Sequence, residues 1–218
     1  MMTTKIRELL STFPKELAQV IGDAETILDV GCGSSSPLML LDRGYKRTVG
    51  VDGFSPSIEA SRKRRIHDEY VQGDLLDIDR MFAPDAFECV ISIDVVEHFE
   101  KEKALELIHK MEIIASKRVV IMTPNGFLPQ DEHSGNIYQR HLSGWSVSEF
   151  ESMGYQVIGI NGWKYLRGEF AAPRFRPKVV FNGLSRLSQP FVRNNPEYAF
   201  HLLCVKDVSD RGKKSETA

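Results

Sequence analysis

Several acids of this chain stand where apolar runs end, at places a ligand can reach. The stretch ILDVGCGSSS, residues 27–36, closes on Asp29 and then sets Gly31 and Gly33 either side of Cys32. TVGVDGF ends its apolar run on Asp52, twenty-one residues after Gly31, and continues with Gly53 and Phe54. VQGDLLDI carries Asp74 and Leu75, and ISIDVVEHF carries Asp94, Val95, Glu97 and His98. Gly31 and Gly33 can take positive φ and leave a ligand room at the backbone. An acid at the place of Asp52 can accept hydrogen bonds from both hydroxyls of a ribose. Asp74 can accept from an adenine amino group or cap a helix. These groups together suit an adenosine-type ligand.

The same residues choose between such ligands. A dinucleotide turn needs G-x-G-x-x-G, and its third glycine position is Ser36 here. Asp29 would repel a phosphate but attract an α-ammonium. Both features favour S-adenosylmethionine over a nicotinamide dinucleotide. Methyl transfer from a sulfonium needs in-line positioning, worth about 7–11 kcal/mol, and removal of the acceptor's proton. Asp94, Glu97 and His98 form the best constellation for the second task. A helix starting after Asp94 would place them on one face. His98 then serves as general base or substrate-orienting group with Glu97, or is a structural histidine bonded to Glu97 or backbone. His133, His141 and Trp145 follow in a loop-rich stretch. His133 reads as solvated and Trp145 as core.

These groups must be held by the elements around them. Ile6, Leu9, Leu10, Phe13 and Leu17 recur at helical spacing, predicting a leading helix interrupted near Pro14. Strands are predicted over 26–30, 48–51, 69–72, 87–93, 118–122, 156–160 and 198–205, with helices over 37–43, 56–64, 102–114 and 146–153. Such alternation implies βαβ units and a doubly wound α/β sheet with right-handed crossovers. Residues 163–196 break the rhythm with four of the ten prolines and read as a helical cap within one domain spanning 1–208. The polar residues 209–218 read as a disordered tail.

In these motifs the chain resembles the class I S-adenosylmethionine-dependent methyltransferases. ILDVGCGSSS, TVGVDGFSPSI, VQGDLLDI, FECVISIDVVEHF and VVIMTPNG stand in order across residues 25–162. The resemblance implies a Rossmann-like, seven-stranded, mostly parallel sheet whose last strand, AFHLLCVKD, is antiparallel. It implies that Asp29, Gly31 and Gly33, around Cys32, hold the methionine part of the cofactor. Asp52 would hold the ribose, Asp74 and Leu75 the adenine, with Gly53 or Phe54 against it. Asp94 and Val95 would line the reactive end. Two departures stand out: Ser35 replaces a frequent third glycine, and Asp52-Gly53-Phe54-Ser55-Pro56 is one residue longer than the usual D-x-S-P.

DVVEHF, TPN and the H…W-S-x-x-E-F stretch look like the small-molecule branch, including quinone-biosynthesis-type O-methyltransferases. They also resemble small-RNA 3′-end 2′-O-methyltransferases, which hold a metal in a glutamate–histidine pocket. Asp94, Glu97, His98 and His141 could supply oxygen and nitrogen ligands to Mg²⁺, Mn²⁺ or Zn²⁺. The reading adopted assigns no metal, since Asp94 is one methylene shorter than the glutamate of those enzymes. The expected acceptor is therefore the oxygen of a small molecule. The alternatives are the metal-dependent RNA enzyme and a non-catalytic binding protein.

Bulk properties narrow the partners. The 218 residues carry a formal net charge of −2, which argues against bulk nucleic-acid binding. The three cysteines lie in apolar segments without a CxxC pair, as expected of reduced thiols in a cytoplasmic protein. No signal-peptide core and no run of 18 apolar residues is present. Residues 163–196 hold seven basic residues against Glu169. Val180, Phe181, Leu184, Leu187 and Phe191 recur near helical spacing there. The first expectation is a helix packed on the sheet with a basic rim. The sharper one is a substrate lid or a weak membrane-surface contact.

Overall fold

Apolar runs rich in valine and isoleucine become the strands of one sheet. The computed structural model describes residues 13–42, 44–132, 137–168 and 173–209. Ile6, Leu9, Leu10, His133, Glu169 and residues 210–218 lie outside them. The sheet has seven strands: β1 (Thr26–Val30), β2 (Arg47–Asp52), β3 (Glu69–Gln72), β4 (Phe87–Ile93), β5 (Ala115–Pro124), β6 (Gln156–Trp163) and β7 (Ala199–Asp207). Their order is β3-β2-β1-β4-β5-β7-β6, parallel through β5, with β7 antiparallel to both neighbours. This is the Rossmann-like methyltransferase architecture expected from the sequence.

The helices cover both faces: α1 (Phe13–Ile21), α2 (Ser55–Arg64), α3 (Ile78–Met81), α4 (Lys101–Ile114), α5 (Val147–Ser152), α6 (Lys178–Leu187) and α7 (Gln189–Asn194). Two cores result. One joins α4 and α5 to one face, through Leu107, Met111, Trp145 and Phe150. The other sets Leu17 and Ile21 of α1 against Ile27, Ile91 and Val120. Trp145 is core, as expected.

The described part of the leading helix, α1, starts at Phe13 with Pro14 in its first turn, and the stretch before residue 13 lies outside the described residues. Three local expectations are corrected. Residues 37–40 form one 3₁₀ turn, capped by the Ser36 hydroxyl, and no α-helix. Asp94, Glu97 and His98 do not share a helix face. Only Val96–His98 is helical, as a 3₁₀ turn, and Asp94 precedes it at φ +54°. Finally, α6 turns its apolar stripe outward, exposing Val180, Leu184 and Leu187, while Ser185 is buried.

Candidate active site

The strand order reverses direction between β1 and β4, and ligands of such sheets bind outside the carboxyl ends at that point. Asp29 and Gly31, Asp52, Asp74 and Asp94 all stand there, at the ends of four consecutive parallel strands.

The turn after β1 is shaped by its glycines. Gly31 lies at φ +73°, and a Cβ on it would sit 2.4 Å from Val95 Cγ2. Its N–H donates to Val51 O at 2.8 Å, binding the turn to β2. Asp52 completes that link. Its two oxygens accept from Gly33 N at 2.9 Å and Phe54 N at 2.8 Å. Burial pushes its carboxyl above the usual carboxylate range, opposed by those two hydrogen bonds. Asp74 Oδ1 accepts from Leu76 N at 2.9 Å, so it caps the 3₁₀ turn Leu75–Asp77 while also lining the cavity. Asp29 is 1% exposed, and its Oδ2 stands 2.9 Å from His67 Nε2. His67, at the foot of β3, fixes that carboxylate at the cleft wall.

Two cavities hold the expected cofactor residues. One, of about 500 Å³, is lined by Asp52, Gly53, Asp74, Leu75, Asp94 and Val95, among others. The second, of about 910 Å³, adjoins Asp29, Gly31, Cys32, Gly33 and Phe54. All eleven residues expected to hold a cofactor line one or both of them.

Beyond Asp94 lies a smaller cavity of about 310 Å³, lined by Asp94, Glu97, His98, His141, Phe200 and His201, among others. Glu97 is 2% exposed; its Oε2 accepts from Thr123 Oγ1 at 3.0 Å, and its Oε1 has no partner. Burial and the neighbouring Asp94 charge raise its carboxyl well above the carboxylate range. His98 Nδ1 faces Arg140 O at 3.1 Å and His141 Nδ1 faces Leu128 O at 2.7 Å. Each ring nitrogen on a carbonyl is thereby a donor, which leaves Nε2 as an acceptor. One ligand atom each from Glu97, His98 and His141 lie within 4.8 Å of one another. Burial pushes His98 down to about 4 and lowers His141 as well, so both rings are neutral at pH 7.

Nothing local in the sequence marks Asn161 or His201 as site residues. A bulge in β6 between Ile160 and Trp163 puts Asn161 at φ +66°. Its side-chain nitrogen lies 2.9 Å from His201 Nδ1, and His201 Nε2 lies 3.5 Å from Asp94 Oδ1. Burial pushes His201 down to about 3. Desolvation pushes Asp94 up to about 7. With 46% of the Asp94 side chain exposed, contact with water opposes that rise. A bulge beside a pocket and a non-glycine residue at positive φ are both features that concentrate at functional sites.

Residues 28–112 match a family model described as a methyltransferase domain. No curated protein matches the chain in sequence. Among solved structures the chain is similar to a SAM-dependent methyltransferase from Archaeoglobus fulgidus, at 16% identity over 92% of this chain and 94% of that one, TM-score 0.59. It is similar to the methyltransferase domain of bacterial CtHen1, at 20% identity over 90% and 98%, TM-score 0.55. It is also similar to magnesium protoporphyrin IX methyltransferase from Synechocystis PCC 6803 with bound SAM, at 16% identity over 93% and 82%, TM-score 0.53. At these identities each likeness is one of fold.

Proposed function

We propose that the chain, whose residues 28–112 match a methyltransferase domain, is a class I S-adenosylmethionine-dependent methyltransferase that transfers the methyl group to an oxygen of a small-molecule acceptor. One observation carries the reading: the cofactor cavity and the 310 Å³ cavity meet at Asp94 and His98, which line both. The sulfonium methyl would sit at that junction, with the acceptor in the smaller cavity. Bound there, S-adenosylmethionine would supply a methyl carbon open to attack by the acceptor oxygen, the carbon–sulfur electron pair staying on sulfur to leave S-adenosylhomocysteine. The hydroxyl proton passes to a base at the junction. Asp94, raised toward 7, is the better base near neutral pH. His98, held near 4, presents its Nε2 as a hydrogen-bond acceptor that orients the hydroxyl, while Glu97 braces the turn beneath it.

A second reading is favoured by the convergence of Glu97, His98 and His141. An unpartnered buried carboxylate oxygen beside two rings anchored at Nδ1 is a donor set that fits a divalent ion. Those three residues would hold it, and a bound cation would acidify the acceptor hydroxyl, as a metal-dependent 2′-O-methyltransferase of RNA 3′ ends requires. The experiment is elemental analysis of protein purified without a metal-affinity tag, with turnover of candidate acceptors before and after chelation. Chelator-resistant turnover that His98→Ala abolishes supports the metal-free reading. Turnover lost on chelation and restored by Mg²⁺ or Mn²⁺ supports the second. Failure to bind S-adenosylhomocysteine at all overturns both.

A further inference from the structure

Helices α6 and α7 dock on the sheet with the wrong face inward for a protein surrounded only by water. Beside the buried Val192 of α7, their inward contacts are polar. Gln189 Nε2 donates to Gly159 O at 2.9 Å, and its Oε1 accepts from Gly162 N at 3.0 Å. Ser185 Oγ donates to Asn161 O at 3.2 Å, and Ser188 Oγ accepts from Trp163 N at 2.9 Å. These side chains satisfy backbone groups of β6 at its bulge and along its open edge, so polar side chains face inward there.

The consequence lies outside. Val180, Leu184, Leu187 and Phe191, spaced by four, three and four residues, form one exposed stripe. Val179 beside it is 83% exposed and Leu187 is 78% exposed. Phe175, just before α6, is exposed with them. Interleaved stand Arg174, Arg176, Lys178 and Arg186, all exposed and none in an ion pair among the described residues. No described residue between 163 and 196 is acidic. The chain as a whole is net negative, so the cations are concentrated on this face.

We propose that this face seats on a membrane surface rich in anionic phospholipid. An exposed apolar stripe flanked by lysine and arginine is the composition of an interfacial helix, whose apolar side enters the acyl boundary while its cations meet the headgroups. A second copy of the chain is a poorer occupant. A two-fold contact would set Arg174, Arg176, Lys178 and Arg186 against themselves with no acid among the described residues of 163–196 to offset them. The helix also backs Asn161, which lines the main cavity, so a docked membrane lies alongside the cavity wall. Among the described residues no helix is long and apolar enough to cross a bilayer, so the contact is peripheral.

Vesicle flotation tests this without any methyl acceptor. The full chain should float with vesicles containing phosphatidylglycerol at low salt, stay behind with pure phosphatidylcholine, and be released in part by 0.5 M salt, an ionic strength at which the Debye length is about 4–5 Å. Leu187→Glu with Phe191→Glu should abolish flotation. Arg176→Gln with Lys178→Gln should weaken partitioning by about thirtyfold. Retained binding of S-adenosylhomocysteine by each variant shows that the fold and the cofactor site persist, so a failure here is distinct from a failure of the methyltransferase reading. Equal binding to both vesicle types, no binding to either, or unchanged binding by the Leu187/Phe191 variant overturns the proposal. A lipid-free increase in mass with concentration, lost in that variant, assigns the face to self-association and overturns it as well.

Discussion

At the scale of single residues, Asp52 joins the fold to the proposed cofactor site most directly. Its oxygens already hold the turn after β1 and the start of α2 through Gly33 and Phe54, and its remaining lone pairs face the cavity. Asp52→Ala should weaken S-adenosylhomocysteine by about ten- to hundredfold, the range for losing hydrogen bonds to a charged group. Asp52→Asn should lose less, since it keeps one acceptor oxygen. Isothermal titration calorimetry checks both, and an unchanged affinity in Asp52→Ala removes Asp52 from the ribose. Because burial raises the Asp52 carboxyl, affinity should begin to fall on acidification above the pH at which an ordinary aspartate is protonated. The acids of the site were legible in the sequence because each ends an apolar run. His67, Asn161 and His201 were not. His67 meets Asp29 across 38 residues and Asn161 meets His201 across 40, and nothing local marks such pairs.

Among the elements, the strands were readable and their edges were not. β5 runs from Ala115, three residues before its expected start, and β6 continues through a bulge to Trp163. Periodicity located the stripe on α6, but an apolar stripe does not say which side meets the sheet. Here the open backbone of a bulged edge strand decided it. Close approach of α7 to β6 depends on Gly159, where a Cβ would sit 2.0 Å from Val192 O and 2.7 Å from Ala199 Cβ. Gly159→Ala should therefore destabilise by about 1–3 kcal/mol, as overpacking does. Gly183, inside α6, meets nothing within 4 Å. Gly183→Ala should stabilise by about 0.5–1 kcal/mol through helix propensity. Urea denaturation of the two variants should move the midpoint in opposite directions.

For the whole molecule, a buried neutral histidine makes stability depend on pH. Folding holds His201 near 3, whereas an unfolded histidine titrates near its ordinary value of about 6.5. Between those values the unfolded chain binds a proton that the folded chain refuses. Its contribution thus favours unfolding increasingly as pH falls below about 6.5, by about 1.4 kcal/mol per unit, and vanishes above it. His201→Gln should flatten the acid side of the stability profile by about one proton. Urea midpoints at pH 7.5, 6 and 5 for both proteins measure this; parallel profiles would show that His201 is not held neutral. The architecture was legible because five motifs fall at the ends of consecutive strands. The location of the cations was legible too, but their company on an outward apolar face emerges only from the packing of α6.

Cys32, Cys89 and Cys204 are free and buried. They sit on the turn after β1, within β4 and within β7, which are three well-separated stations along one sheet. Burial raises each thiol well above its ordinary value, so the reactive thiolate is scarce while the protein stays closed. A maleimide added to the native protein therefore times the breathing of the sheet and not the chemistry of the sulfur. Each cysteine becomes a local clock, running at the rate at which its own strand lets solvent in. A ligand lying on the turn after β1 should slow the Cys32 clock far more than that of Cys204, so mass spectrometry of alkylated peptides can report occupancy of the cleft without any methyl acceptor.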